Sequence, residues 1–232
     1  MAESTSAIRR RYDRLAPFFD LLEGVLERLA FGAWRQRLWS EAGAGRILEV
    51  GVGTGKNFPY HPPGADITAI DFSAAMLSRA RNKLGQSPAA VELLPMDVER
   101  LDFPDNSFDT VAASFVFCSV PLPVKGLREV LRVCKPGGRV LLLEHVLSED
   151  PLRARIMNWL NPLVVKLVGA NINRRTVGNV AASGLAIDSV EDLGHSGLVK
   201  LIRPISRTAI MSPYFNPPLR NKTCPKSTTS AS

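Results

Sequence analysis

The chain is poor in the residue types that build disulfide frameworks and metal centres. Its 232 residues include three cysteines, Cys118, Cys134 and Cys224, and three histidines. No two cysteines have C-x-x-C spacing and the histidines are scattered, so the sequence predicts neither a disulfide framework nor a metal site. A reduced, cytoplasmic protein is the expectation that fits this cysteine usage.

Long apolar runs are also missing. No uncharged apolar stretch reaches the roughly 18 residues of a membrane span, and the first residues, MAESTSAIRRRYDR, lack the apolar part of a signal peptide. Any membrane contact is therefore expected to be peripheral. The net charge of +7 favours an anionic surface as a partner, although solubility and a basic tail explain the same excess. Nucleic acid is not expected, because basic and aromatic residues do not interleave.

The sequence contains an alternation of short apolar runs with helical segments. The runs are rich in Val, Ile and Leu without strict alternation, which is typical of strands buried on both faces. Alternating strands and helices predict an α/β fold with a mostly parallel sheet and helices on both faces. The runs are residues 46–50, 65–70, 90–96, 108–117 and 138–146, with 186–194 and 198–210 predicted as a final antiparallel pair. Two helices are predicted after residue 146, with interruptions near Pro162 and at Gly169.

The segments outside this alternation predict a three-part organisation. Residues 1–40 are interpreted as an N-terminal helical lid or membrane-contact segment, 41–210 as the α/β domain, and 211–232 as a disordered tail. Within the first part, residues 1–11 are expected to be a flexible leader. Residues 18–39 have helical apolar periodicity, so they are expected to cover an apolar pocket, lie on a membrane or pack on the sheet.

The stretch RILEVGVGTGKNFPYHPPGADITAIDFS, residues 46–73, holds the first functional signal. Gly51, Gly53 and Gly55 follow a strand at alternate positions and allow backbone to approach a ligand closely, while the next helix would direct N–H groups at an anion. Asp71 ends the second strand, where a carboxylate can accept both hydroxyls of a ribose. The loop therefore predicts a nucleoside cofactor. Its G-x-G-x-G spacing differs from the G-x-G-x-x-G of dinucleotide sites, which argues against a nicotinamide oxidoreductase.

Five motifs in chain order resemble those of the class I S-adenosylmethionine-dependent methyltransferases. They are E-V-G-x-G-T-G, I-D-F-S, M-D, F-D-x-V and K-P-G-G, and the resemblance covers about residues 40–210. It implies a Rossmann-like, seven-stranded fold and S-adenosylmethionine as cofactor. The cofactor-binding residues that it implies are Glu49, Gly51, Gly53, Thr54, Gly55, Asn57, Asp71, Phe72, Ser73, Met76, Asp97, Val98 and Ser114.

The resemblance also assigns a role to most of these residues. Glu49 and the glycines would line the methionine part of the cofactor, with Ser114 beside its methyl end. Asp71 would hold the ribose. The adenine would lie against Phe72 and Met76, with its edge read by Asp97 and Val98.

Two branches of this superfamily are similar to the chain outside the cofactor motifs. RYDRLAPFFD resembles the opening of the ubiquinone and menaquinone C-methyltransferases, with Phe19 in place of a tyrosine and Tyr12 retained as a catalytic or cofactor-capping residue. GTGKNFPYHPPG, FVFCSV, LLLEHV and GANINRRTV are more similar to phosphatidylethanolamine N-methyltransferase-like proteins and alkyl thiol methyltransferases. A phospholipid amine is therefore the expected acceptor, with a thiol, a quinone ring carbon and a non-catalytic cofactor-binding protein as alternatives.

His145 is the predicted general base. It follows the fifth strand, where it is expected to face the pocket, and histidine titrates near neutral pH; a hydrogen-bonded structural histidine is the alternative. His61 and His195 are weaker candidates, in a Pro-rich loop and a Gly-flanked turn. Residues considered for the acceptor pocket or head group are Cys118, Ser119, Asn171, Asn173 and Arg174, although the asparagines and Arg174 are equally suited to capping a helix.

Overall fold

A computed structural model of the chain describes residues 5–26, 31–194 and 197–206, without the side chains of residues 5, 17–26, 168, 205 and 206. The expected disordered tail, His195, the last four residues of the final predicted strand and most side chains of segment 18–39 lie outside the described residues. The strands are β1 Arg46–Val50, β2 Asp66–Asp71, β3 Ala90–Pro95, β4 Phe108–Ser114, β5 Cys134–His145, β6 Leu185–Leu193 and β7 Val199–Ser206. The α-helices are α1 Thr5–Leu26, α2 Gly32–Trp39, α3 Ala74–Arg81, α4 Pro123–Val133, α5 Pro151–Val168 and α6 Thr176–Ser183.

The seven strands form a single sheet in the order β3-β2-β1-β4-β5-β7-β6. Strands β1 to β5 pair in parallel, and β7 lies antiparallel between β5 and β6. This arrangement confirms the predicted mostly parallel sheet with a final antiparallel pair. The strand order reverses between β1 and β4, and ligands in such folds bind at the carboxyl ends of the strands beside this switch point.

The sheet is covered by an apolar core on each face. Successive residues of β1 and β5 belong alternately to the two cores, as the pleat of a strand requires. Helices α4 and α6 cover one face through residues such as Leu127 and Val180, while α2 and α3 cover the other through Leu38 and Leu77. Both faces of the central strands are thus buried, which explains their continuous apolar sequence.

The N-terminal segment differs from the expected flexible leader, because α1 begins at Thr5. Ile8 and Ala16 are buried, and the Tyr12 ring packs edge-on against Phe72 with 5.7 Å between centroids. These contacts with the rest of the chain stabilise the first part of the helix, where residues 9–14 are mostly charged. Residues 5–11 are therefore part of the folded structure.

Three other expectations about local structure are wrong. A single 3₁₀ turn, Phe58–Tyr60, replaces the predicted helix after β1, since the prolines around it prevent a longer one. Strand β4 ends at Ser114, because Phe115 has a φ of +59° that no strand residue adopts. Helix α5 continues through Pro162, whereas the predicted interruption at Gly169 is present, with a φ of +83°.

Candidate active site

A cavity of about 240 Å³ lies at the carboxyl ends of β1, β2 and β4. Its floor comes from the loops after these strands, and α1, Phe31 and α2 form its roof. Of the residues predicted to bind a cofactor or to act in catalysis, those lining it are Tyr12, Gly51, Gly53, Thr54, Asn57, Asp71, Phe72, Met76, Asp97, Val98 and Ser114. Glu49, Gly55, Ser73 and His145 do not line it.

Backbone forms the floor of the cavity where the glycines stand. Gly51 has a φ of +67°, and a Cβ there would lie 2.5 Å from Cγ2 of Val116. Gly53 has a φ of +56°, but its Cβ would meet no atom within 4 Å. The backbone at Gly53 therefore faces open space, which suits close approach by a ligand.

Asp71 is a buried carboxylate held by backbone at the floor of the cavity. Gly53 N–H donates to Oδ2 and Ser73 N–H donates to Oδ1, both at 2.9 Å. Burial raises the pKa of Asp71 to about 6, and the negative charges of Glu49 and Asp13 act in the same direction. Each carboxylate oxygen can accept a further hydrogen bond, so the group can bind two hydroxyls.

The side of the cavity next to Asp71 is shaped for a flat apolar group. Phe72 and Met76 line it from the start of α3, and Val98 lines it from the loop after β3. Asp97 lies beside Val98, with Oδ1 accepting the N–H of Glu99 at 2.9 Å. Apolar faces with a carboxylate at the edge fit a purine base that carries an amino group.

Glu49 lies beneath the cavity and positions a residue that lines it. Its Oε1 accepts from Nδ2 of Asn57 at 2.6 Å, and its Oε2 lies 3.1 Å from Nε2 of His61. Nη1 of Arg35 donates to Oδ1 of Asn57 at 2.9 Å. His61 is therefore a buried structural histidine. Glu49 fixes the position of Asn57, and Asn57 lines the cavity.

Arg35 is a lining residue that sequence reasoning missed. It is only 5% exposed, and its guanidinium lies 5.4 Å from the centre of the Phe115 ring. No motif marks it, because its partners Asn57 and Phe115 are distant in sequence. A buried cation at this place is suited to a ligand carboxylate.

Ser73 and Asp13 attach the roof to the floor. Oγ of Ser73 caps α3 by accepting the N–H of Met76, and it donates to Oδ1 of Asp13 on α1 at 2.5 Å. Ser73 is fully buried and Asp13 is partly exposed, so this bond is partly shielded from water. Helix α1 is thus fixed over the cavity at Asp13, one residue after Tyr12.

Phe115 is the second lining residue that sequence reasoning missed. Its left-handed backbone is costly for a residue with a bulky side chain and turns the chain sharply after β4. The Phe115 ring stacks on Phe31 with 5.0 Å between centroids. The sharp turn explains why Val116, which was predicted as a strand residue, lines the cavity. Cys118 and Ser119, which were considered for the acceptor pocket, line it too.

Glu144 holds this turn from below. It is fully buried, and its Oε1 accepts the N–H groups of Val116 at 2.9 Å and Phe117 at 3.0 Å. Burial raises the pKa of Glu144 to about 7, against the effect of these hydrogen bonds. Glu144 therefore stabilises the turn as a positioning residue.

His145 does not face the cavity as expected. Neighbouring strand residues point to opposite sides, and Glu144 occupies the side of the turn after β4. Desolvation lowers the pKa of His145, and its hydrogen bond to the backbone of Ile172 opposes this only partly. Its imidazole is thus neutral at neutral pH and lies apart from the lining residues.

The residues considered for an acceptor head group support the cavity wall. Asn171 donates to the carbonyl of Cys118 through both its backbone N–H and its side chain, at 2.9 and 3.1 Å. Arg174 donates to the carbonyl of Val120 at 2.8 Å. Asn173 bonds to Asn158 on α5. None of these three side chains lines the cavity.

Comparison with known proteins identifies the family of this fold and site. The family described as "Methyltransferase domain" matches residues 48–142. The chain is 48% identical over 154 residues to a phosphatidylethanolamine N-methyltransferase from Cereibacter sphaeroides, covering 64% of this chain and 73% of the relative. It is 34% identical over 182 residues to a ubiquinone/menaquinone biosynthesis C-methyltransferase from Geobacter sulfurreducens, covering 73% of this chain and 70% of the relative.

A solved structure shows the same fold. A protein from Thermotoga maritima, described as an S-adenosylmethionine-dependent methyltransferase and possible histamine N-methyltransferase, superposes with a TM-score of 0.65. It is 20% identical, with 84% of this chain and 98% of that one covered. With a sheet of this order, a cavity at its switch point and relatives of this identity, the chain belongs to the class I S-adenosylmethionine-dependent methyltransferases, and S-adenosylmethionine is its cofactor.

Proposed function

We propose that the protein transfers a methyl group to the amine of a phospholipid head group of the phosphatidylethanolamine type. The observation that carries the proposal is the largely apolar composition of the cavity wall that follows Ser114. The side chains there are Phe31, Phe115, Val116, Cys118, Ser119, Val120, Pro121 and Ala170. Such a wall excludes water from an amphipathic acceptor. The 48% identity to a phosphatidylethanolamine N-methyltransferase supports the same acceptor.

An amine fits this wall better than an acceptor that needs a base. Among the described residues no histidine lines the cavity, and burial raises the pKa of the Cys118 thiol to about 12. A thiol or a ring hydroxyl must lose a proton before it reacts. An alkyl amine is brought to its neutral form by desolvation alone, because burial lowers the pKa of a cationic acid.

The positions of the side chains around the cavity support the cofactor-binding roles proposed from the motifs. When bound, S-adenosylmethionine supplies a methyl group that its sulfonium already activates, so positioning and desolvation by the protein can provide much of the catalysis. Asp71 would accept the ribose hydroxyls. Phe72 and Met76 would hold the adenine, and Asp97 and Val98 would hold its edge.

The remaining lining residues hold the methionine part and close the site. Backbone at Gly51, Gly53 and Thr54 would approach it from below, and Asn57 and Ser114 offer hydrogen-bonding groups. Arg35 would hold its carboxylate. Tyr12 would cover the cofactor from α1, so the described part of the N-terminal segment would act as a lid. Three predicted residues would support the site without lining it. Glu49 positions Asn57, Gly55 belongs to the turn after β1, and Ser73 caps α3.

A quinone ring carbon is the second candidate acceptor. The 34% identity to a ubiquinone/menaquinone C-methyltransferase favours it. The Tyr12-Asp13 pair that resembles the opening of those enzymes also has a defined place here, over Phe72 and against Ser73.

The test is transfer of labelled methyl from S-adenosylmethionine to three acceptors: phosphatidylethanolamine in detergent micelles, a demethylated quinone and an alkyl thiol. Labelled monomethyl phospholipid is the expected product. Product from the quinone or thiol alone would replace the proposed acceptor, and cofactor binding without any product would indicate a non-catalytic protein.

His145→Ala is expected to retain turnover, since its imidazole lies outside the cavity. A large loss of turnover in this variant would restore His145 as the general base.

A further inference from the structure

Helix α5 exposes a stripe of large apolar side chains. The exposed fractions are 68% for Leu152, 49% for Ile156, 79% for Trp159, 55% for Leu163 and 61% for Leu167. At 100° per residue these five positions fall within an arc of about 80°. Only two other large apolar residues in the described part of the chain are comparably exposed, Leu122 and Val190, and they stand on other elements.

The helix is firmly attached to the rest of the molecule on its opposite side. Met157 is buried, and Oδ1 of Asn161 accepts the N–H of Ile172 at 2.9 Å. Nη1 of Arg11 on α1 donates to the carbonyl of Val165 at 2.8 Å. The stripe is thus the outer face of an ordered helix, and a contiguous apolar surface of this kind marks an interaction site.

The charges on α5 indicate which partner covers the stripe. Residues 151–168 contain no Asp or Glu, while Arg153, Arg155 and Lys166 are exposed. By the same helical geometry Arg155 and Lys166 fall on one side of the stripe and Arg153 on the other. An apolar face between cations, with a tryptophan at its middle, is typical of helices that lie in the interface of anionic bilayers.

The C-terminal end of α5 lies beside the cavity. Gly169 caps the helix, and the next residue, Ala170, lines the cavity. A Cβ at Gly169 would lie 3.5 Å from the ring of Tyr12, which also lines it. A lipid that leaves a bilayer beneath α5 would therefore meet the cavity at the end of the same helix.

We infer that α5 is a membrane-docking helix that places its apolar stripe in the interface of an anionic bilayer. This inference deepens the proposed function, because docking brings a lipid acceptor to the cavity. Among the described residues no helix is long and apolar enough to cross a bilayer, so the contact is one of surface binding. The membrane contact expected of residues 18–39 stays a separate prediction, because most of their side chains lie outside the described part.

The first test is co-sedimentation of the full chain with vesicles of phosphatidylcholine, alone or mixed equally with phosphatidylglycerol. We expect the wild type to bind the anionic vesicles. For the double variant Leu163→Gln, Leu167→Gln, we expect the partition coefficient onto these vesicles to be lower by about tenfold or more. Leu122→Gln, the same type of change at a single exposed leucine just before α4, should bind as the wild type does. Absence of wild-type binding, or equal binding by the double variant, would overturn the inference.

Trp159 reports the location of α5 directly. Trp39 is buried and Trp34 half-buried, so the exposed indole of Trp159 should dominate a blue shift of emission on adding anionic vesicles. Brominated lipid should quench it, and Trp159→Phe should remove both signals. An unchanged spectrum at saturating vesicles contradicts docking through α5.

Two further measurements separate this inference from others. If the double variant abolishes a dimer seen by light scattering while vesicle binding is unaffected, the stripe is a protein interface and the inference fails. Methylation of phosphatidylethanolamine in micelles tests the proposed function alone. Vesicle binding through α5 without such methylation would support docking and contradict the proposed acceptor. Methylation without vesicle binding would support the proposed acceptor and contradict docking.

Discussion

At the scale of single residues, the buried carboxylate of Asp71 makes cofactor affinity depend on pH. Its pKa is raised to about 6 by burial and by the charges of Glu49 and Asp13, so the free protein protonates it in mildly acidic solution. The protonated group is a poorer acceptor for the two ribose hydroxyls. We expect affinity for S-adenosylmethionine to fall as pH decreases below about 6, measured by calorimetry from pH 8 to pH 5.

The variant Asp71→Asn separates this effect from other titrations. Loss of the charged acceptor should lower affinity by about tenfold to a hundredfold at pH 7.5. The variant should also lose the decrease in affinity near pH 6. An unchanged pH profile in Asp71→Asn would assign the titration to another group, and unchanged affinity would place the ribose elsewhere.

Gly53 and Gly64 form a matched pair for testing the approach of backbone to the cofactor. Both have positive φ, +56° and +76°, and at both a Cβ would meet no protein atom within 4 Å. Alanine at either position should lower the free energy of unfolding by about 1–2 kcal/mol, because the left-handed conformation is strained. Only Gly53 lines the cavity, so only Gly53→Ala should also weaken cofactor binding. Equal affinities in both variants would show that the cofactor does not contact the backbone there.

At the scale of elements, the turn after β4 depends on a carboxyl group at the end of β5. The pKa of Glu144 is raised to about 7 from an ordinary value of 4.5. Between these values the folded protein binds more protons than the unfolded chain, so stability falls as pH rises from about 4.5 to 7 and levels off above 7.

Glu144→Gln should remove this part of the pH dependence. The neutral amide retains an oxygen that accepts from residues 116 and 117, and it has no proton to lose. The difference in unfolding free energy between wild type and variant, from urea titrations, should change by at most about 1.4 kcal/mol per pH unit between pH 4.5 and 7. A constant difference across this range would mean that the carboxyl is already ionised at low pH.

The elements that sequence reasoning predicted well are those whose pattern comes from burial alone. Strands β1 to β5 are covered on both faces, so their apolar runs identify them. The first part of α1 was missed because residues 9–14 are mostly charged and its order comes from contacts with Phe72 and Ser73, far along the chain. The cofactor loops were predictable because backbone geometry demands glycine there. Arg35 and Phe115 were not predictable, because the local sequence does not show which loops of the floor contact the roof.

At the scale of the whole molecule, the cavity is closed by two parts of the chain that fold against each other. The floor belongs to the sheet, while the roof belongs to α1 and α2 and is attached to the floor by the bond from Ser73 to Asp13. A cofactor enclosed between floor and roof contacts both, so binding should stabilise the roof more than the sheet. This difference distinguishes a roof that closes over the cofactor from one that is fixed regardless of it.

Hydrogen exchange measured by mass spectrometry tests the role of the roof. In the absence of cofactor, amides of residues 5–16 should exchange faster than those of β1 and β4, and saturating S-adenosylmethionine should slow them by about tenfold or more. Asp13→Asn weakens the bond to Ser73, so it should speed exchange in α1 without changing exchange in the sheet. If the cofactor protected β1 and β4 but left α1 unchanged, the roof would not contact it, and Tyr12 would have no capping role.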